Sequence, residues 1–540
     1  MAADVILLGG DVISHPGQSM VAIKSGSIVA VGADHEASAL AGPATRIIRL
    51  QGRTVMPAFQ DAHIHPSIGG LAMLRCDLHQ VRGVDSLIVA IKRYADDHPD
   101  LPWIVGAGWH STDFELGSPS RELLDVAVPD RPAFMMNNGV HDGWVNSAAL
   151  AAAGIDRNTP DPPFGRIERT ATKEPQGTLH EAAVRLVEAR LPPTTRNELE
   201  RAILLAQKHL HSLGITAWQD AWVTPDVLDA YRSVANRHEL TARVVAALWW
   251  ERNAGPEQID WMRDARADNA TGHLRATSVK IMQDGTIGNF TAAVLEPYLD
   301  PEGRPTDNRG MSFVDPSDLH RYAAALDREG FQIHFHAIGE RAVREALNAL
   351  ETVRNTNPPL DNRHHISHVS VVHPDDVSRF ASLGIVANIQ PFWAVDGEEI
   401  RVKSRFLGAE RAAWWYPFAS IARHGARLAA GSDWSVSTAN PFEEIEVAVS
   451  RVDPSLRGAM EPLLPNERLS VTDALHAFTS GSAYVNHLDQ TGAIEVGMWA
   501  DLVVANRSIV QASEQPIGTA KVLMTMVDGE TVYSDPTVEW

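Results

Sequence analysis

Apolar residues recur along this chain at two spacings, and from about residue 200 onward the switch between them is regular. Residues 198–213 (ELERAILLAQKHLHSL) carry apolar side chains at helical spacing, Gly214 stops the run, and Ile215-Thr-Ala-Trp-Gln219 reads as a strand. The same order returns at His320–Glu329, Gly330 and Phe331–His336, then at Asp375–Leu383, Gly384 and Ile385–Ile389. It returns again at Phe418–His424, Gly425 and Ala426–Ala430. A helix, a glycine able to take the left-handed cap conformation and a short buried strand form the αβ half of a βα repeat. Thr54–Ala62, Arg243–Trp249, Thr277–Met282 and His364–Ser367 raise the strand count to eight. Eight such strands alternating with helices predict an α/β fold of the (β/α)8, or TIM, barrel type. The rival is an open doubly wound sheet, but no Gly-x-Gly-x-x-Gly turn follows the first strand.

Two regions fall outside the repeat. Val5-Ile-Leu-Leu8 and Ser27-Ile-Val-Ala-Val31 near the start, and Asp501–Ala505, Val522–Val527 and Thr531–Tyr533 near the end, are short strand-like runs separated by turn residues. The expected arrangement pairs residues 1–53 with 490–540 in one small β-sandwich and gives 54–489 to the barrel. An insertion of roughly 130 residues, about 70–200, separates the first two barrel strands, where connections normally take only ~2–6 residues plus a helix. A lid or substrate-binding subdomain is expected there.

Composition narrows the function class. The 540 residues, 44% hydrophobic and 21% charged, are those of an ordinary globular protein with a large core. A formal charge of −21 with no basic cluster argues against nucleic acid or an anionic membrane as partner. Cys76 is the only cysteine, which excludes an intrachain disulfide or a cysteine-based zinc knuckle and fits a reducing cytosol. No basic leader or ~20-residue apolar span is present, so a cytoplasmic protein is expected, acting on a small molecule, with a homodimer left open.

Chemistry in TIM barrels sits at the carboxyl ends of the strands. The first strand runs into His63-Ile-His65, whose alternate residues point to one face of an extended chain. The fifth ends in His334-Phe-His336, the sixth in His368, and the eighth is followed by Gly431-Ser-Asp433. Of the strand-five pair, His336 is the expected ligand because it lies nearer the strand end, and His334 is expected to support or pack. Alternation within Thr277–Met282 sets Lys280 opposite Val279 and Ile281, pointing into the barrel. A buried ammonium is costly unless neutralised or paired. Lys280 therefore either pairs with Asp284 or Asp433, or captures carbon dioxide as a carbamate able to bridge two cations. Four histidines, that carbamate and one aspartate would make a binuclear centre that acidifies a water.

With these residues in view, the chain resembles the amidohydrolase superfamily, and within it the amidohydrolase-3 group that includes the YtcJ-like proteins and N-substituted formamide deformylases. The resemblance rests on Val55–His65, Trp103–Trp109, Gly143–Leu150, Val279–Gly285, His336–Glu340, Ile366–His368, Gly431–Trp434 and Ala500–Val504. It implies His63, His65 and Asp433 on a first metal, His336 and His368 on a second, and carboxylated Lys280 between them. Two zinc ions per chain, with carbon dioxide held as the carbamate, are the cofactors expected, although the ligand types suit manganese, cobalt or iron as well. Three departures stand out: Glu340 where the group usually has aspartate, Phe290 where it usually has an arginine near the pocket, and Ser367 in place of glutamate before His368.

The expected reaction is hydrolysis of an amide-type C–N bond in an N-acyl or N-formyl compound, with Asp433 as the catalytic proton carrier. Trp109, His141, Phe290, Phe392 and Trp393 are the candidate substrate-binding residues, an aromatic set suited to an apolar or aromatic substrate. Two alternatives remain: a mononuclear deaminase of the same superfamily, and a non-catalytic scaffold of amidohydrolase descent. The first usually carries glutamate three residues after the strand-five histidine, where this chain has Gly339. The second should have lost ligands, and none is lost.

Overall fold

The computed structural model describes residues 2–114, 117–163, 165–268, 272–510 and 515–540. Its largest sheet has eight parallel strands in sequential order. They are β1 (Phe59–Ile64), β2 (Ile215–Val223), β3 (Arg243–Trp249), β4 (Leu274–Met282), β5 (Gln332–Ala337), β6 (His365–His368), β7 (Val386–Ile389) and β8 (Leu428–Ala430). The chain beyond β8 returns to the end of β1: Asp433 N donates to His63 O at 2.8 Å and His65 N donates to Trp434 O at 2.7 Å. These bonds close the ring, and the fold is a TIM barrel.

The helix at Pro374–Leu383 shows how local sequence builds the repeat. Pro374 at the first helical position needs no N–H partner. The His373 side chain accepts from Asp375 N, and Gly384, at φ 69°, ends the helix in the left-handed region before β7 begins. Val377 and Phe380, three apart, are buried together. Thus His373 is a helix cap, in keeping with a structural role.

The first predicted strand, Thr54–Ala62, is two strands. Thr54–Pro57 belongs to a five-stranded sheet with Asp11–Val12, Leu502–Ala505, Val522–Val527 and Glu530–Ser534. Pro57 has no N–H to give. The next two donors then go to different partners: Ala58 N to Asp501 O and Phe59 N to Gly214 O. The chain thereby changes sheets at Ala58. A four-stranded sheet joins Val5–Leu8, Met20–Lys24, Ser27–Gly32 and Arg46–Arg49. Leu7, Val21, Ile23 and Ile48 of that sheet share one buried cluster with Val55, Leu502, Val504, Met524 and Met526 of the five-stranded sheet.

The chain forms two compact units, Met1–His65 with Gln207–Trp540, and Pro66–Ala206. The second holds its own six-stranded sheet, including Ile104–Trp109, Ala133–Asn137, Asp142–Val145 and Pro175–Glu181, and its own buried clusters. No described helix is long and apolar enough to cross a membrane.

Candidate metal centre

Asp61, two residues before His63, builds the first half of the site. Its Oδ1 accepts from His63 N at 2.9 Å and its Oδ2 from Ser432 N at 3.0 Å, so one carboxyl group ties the end of β1 to the loop carrying Asp433. Burial pushes that carboxyl up to about 7. Gly431 permits the approach, since a Cβ there would stand 2.5 Å from His63 N. Asp433 Oδ1 then lies 3.1 Å from His65 Nε2 and 3.4 Å from His63 Nε2. The ligand atoms of His63, His65 and Asp433 all fall within 4.8 Å of one another.

β4, β5 and β6 contribute the second half. Lys280 is buried, and its Nζ lies 3.4 Å from His63 Nδ1. The rings of His336 and His368 are 4.3 Å apart, and His368 is 4.7 Å from His63. Asp284 shapes the turn after β5: its carboxylate accepts from Ala293 N, Ile338 N and Gly339 N, and its Oδ1 lies 3.6 Å from His336 Nε2. Asp284 is bonded to backbone amides and Asp433 faces two imidazoles, while the lysine amine approaches His63.

Burial dominates the electrostatics. It lowers Lys280 to about 7 and His63 to about 3, the latter helped by the neighbouring lysine. His334, His336, His365 and His368 are likewise held well below the ordinary imidazole value, first by burial. Burial alone would raise Asp433, but the imidazoles of His63 and His65 beside it hold its carboxyl well below the usual range. Neutral imidazoles beside an ionised carboxylate are the protonation states a divalent cation requires. Two buried ring nitrogens, His65 Nδ1 and His368 Nε2, have no hydrogen-bond partner. Buried polar atoms are ordinarily satisfied, so this donor set fits a cation.

The sequence matches the model of the Amidohydrolase family over residues 46–533. The chain belongs to the amidohydrolase family. It is similar to the protein LONG AFTER FAR-RED 3 of Arabidopsis thaliana, at 30% identity over 99% of this chain and 92% of the relative. It is 28% identical to N-substituted formamide deformylase of Arthrobacter pascens, over 95% of this chain and 94% of that one. Among solved structures, an uncharacterised metal-dependent hydrolase from Pyrococcus furiosus superposes with a TM-score of 0.74 at 26% identity, covering 94% of this chain and all of that one. This amidohydrolase is therefore a metal-dependent hydrolase in class.

The expected substrate-binding residues of the amidohydrolase fall in different places. Phe392 and Trp393 form the turn Pro391–Trp393 directly after β7, with Phe392 N donating to Glu444 Oε2 at 2.8 Å. Phe290 lies in the loop after β4 and packs edge-on against Tyr298 and Phe406. His141, in the Pro66–Ala206 unit, is half-buried with Nδ1 3.2 Å from Glu181. Trp109, in contrast to the expectation of a substrate-binding role, is fully buried in that unit, donating Nε1–H to Met135 O and packing against Phe114 and Trp144. With no exposed surface it is a packing residue. Glu340 turns its Oε1 to Leu295 N, toward the loop after β4.

Other residues escaped the sequence reading. Trp222 and Trp249, at the ends of β2 and β3, stack at 4.8 Å, and the Trp222 ring lies 6.5 Å from that of His65. Inside the barrel Gln219, Ser278, Ser367 and Asn388 are fully buried. Their signal was present: polar residues two apart in apolar strands, as in Ser278–Lys280, Gln332–His334–His336 and His365–Ser367.

Proposed function

We propose that this amidohydrolase cleaves an amide-type C–N bond in an N-acyl or N-formyl small molecule. The observation that carries the reading is the convergence of His63, His65 and Asp433 with Lys280, His336 and His368 at the carboxyl end of the barrel. His63, His65 and Asp433 would hold one zinc ion, His336 and His368 a second, and the Lys280 carbamate would link them. Such cations acidify a water and polarise a carbonyl oxygen.

Asp433 is the proton carrier in this reading. Its Oδ1 faces both imidazoles, leaving Oδ2 to receive the proton of the attacking water. Water adds to the carbonyl carbon, giving one proton to Asp433, and that proton passes to nitrogen as the C–N bond breaks, yielding an amine and a carboxylic acid that releases its remaining proton to solvent. The name of the Arthrobacter pascens relative, a formamide deformylase, describes the same bond class.

The substrate we propose carries an apolar or aromatic substituent. Trp222 is 38% exposed although it stacks on Trp249 beside His65, so an apolar face stands open at the barrel mouth. Phe392 and Trp393 bring two further rings to the end of β7. Planar groups stack on such faces. The test is turnover by the zinc-loaded protein of acetanilide and N-butylacetamide against charged dipeptides. Turnover of the amides is expected; preference for the dipeptides would overturn the reading.

A further inference from the structure

The interior of the barrel below the metal centre is filled by a hydrogen-bonded chain whose donors and acceptors can be assigned one by one. It starts at two backbone carbonyls. Gln332 Nε2 lies 2.9 Å from Arg363 O and 2.8 Å from Val485 O, and carbonyls only accept, so both of its N–H groups are committed there. Gln332 Oε1 must then accept from Gln219 Nε2, at 2.8 Å. Gln219 consequently turns its Oε1 toward His334 Nδ1, at 2.6 Å, and that nitrogen has to donate. A neutral imidazole has one N–H, so His334 Nε2 is an acceptor. Its neighbours at 2.8 Å are Ser367 Oγ and His63 Nδ1.

A second chain reaches the same oxygen from the other side. His368 N donates to Gln390 Oε1 at 2.8 Å, which turns Gln390 Nε2 to Asn388 Oδ1 at 3.0 Å. Asn388 Nδ2 then donates to Ala62 O and to His365 Nδ1, so His365 Nε2 carries the proton and donates to Gln219 Oε1 at 3.1 Å. Both chains make Gln219 Oε1 an acceptor, although they begin at unrelated backbone groups.

We propose that His334 is a positioning residue: held by Gln219, it fixes His63 as the Nδ1–H tautomer and thereby presents the His63 Nε2 lone pair to the cation beside Asp433. Metal-bound histidines generally donate their other N–H to a fixed acceptor; here that acceptor is a second imidazole, itself oriented by the floor of the barrel. Ser367 shares the same His334 nitrogen. With Nδ1 committed as a donor, His63 offers no lone pair there to the Lys280 amine 3.4 Å away. This inference rests on the metal-site part of the proposed function and is independent of the bond cleaved.

The test is 15N NMR of the full chain with labelled histidine, before and after zinc is added, together with zinc affinity by competition. The account expects His63 as the Nδ1–H tautomer in the metal-free wild type. It expects His334→Leu to weaken zinc roughly 10–100-fold, as loss of such supports does. His334→Gln, which restores an acceptor oxygen, should recover most of that loss. An Nε2–H tautomer for His63 in the wild type would overturn the inference whether or not the variants fold. Equal zinc affinity in the folded His334→Leu variant would overturn it too. If zinc failed to bind at His63 at all, the metal-site reading would fail instead, while a wild type that binds zinc but hydrolyses no amide would fail only the substrate reading.

Discussion

Asp433 Oδ1 lies 3.1 Å from His65 Nε2, joining two side chains 368 positions apart in the chain. In the proposed mechanism this carboxylate both holds a cation and carries a proton. Asp433→Asn keeps an oxygen at that place but removes the basic site. We expect zinc content to stay near the wild-type level by elemental analysis while turnover falls by roughly 10²–10⁴-fold, the usual contribution of a proton carrier. Full turnover in that variant would remove Asp433 from the mechanism.

Gly431 is the second test of the same geometry. A methyl group there would meet the backbone of His63 at 2.5 Å, so either β1 or the loop after β8 must shift. Gly431→Ala should weaken zinc binding roughly 10–100-fold, as disturbed metal supports do. Competition against a chromophoric chelator measures it, and unchanged affinity would show that the two segments are not tightly coupled.

Much of this was legible in the chain. The four helix–glycine–strand junctions all exist, and Gly214, Gly330, Gly384 and Gly425 all have positive φ. The reading worked because helix spacing, the glycine stop and the apolar strand each report the same local event. It erred where a single apolar run serves two sheets, at Pro57–Phe59, since hydrophobic pattern does not say which partner receives the next N–H. It also took Trp109 for a pocket residue, because sequence gives a ring's position along a strand but not which side is covered. The interior glutamines and asparagine were passed over singly. Only when Gln219, Gln332 and Asn388 are seen across neighbouring strands do they form a network.

Arg243 should matter for stability rather than chemistry. Its guanidinium, 7% exposed, bonds Asp501 through Nε at 2.8 Å and Nη2 at 3.1 Å, linking the start of β3 to the segment before Leu502–Ala505. Removing one partner of a buried pair strands the other charge, at a cost of about 3–5 kcal/mol. Arg243→Ala should lower the urea midpoint accordingly, and a change under ~1 kcal/mol would place the pair among those contributing little.

Cys76 supplies a pH prediction for the Pro66–Ala206 unit. Burial pushes its thiol from 9 up to about 12. Between those values the unfolded chain releases the proton while the folded chain retains it, so folding stability is full below pH 9 and declines as pH rises toward 12. Urea titrations at pH 8 and pH 10.5 should show a lower midpoint at the higher pH, with part of that loss absent in Cys76→Ala. The native thiol should react with a disulfide reagent at pH 8 only as fast as the unit opens. Rapid stoichiometric labelling of the folded protein would contradict its burial.

The most direct test of the whole account is anomalous scattering at the zinc edge from crystals of the zinc-loaded protein, read together with density at Lys280 Nζ. The account predicts two ions per chain, one held by His63, His65 and Asp433 and one by His336 and His368, with a carboxyl group on the lysine nitrogen. Bare Lys280 with a single ion would contradict the binuclear centre, and no ion among these six side chains would contradict the metal-dependent mechanism itself.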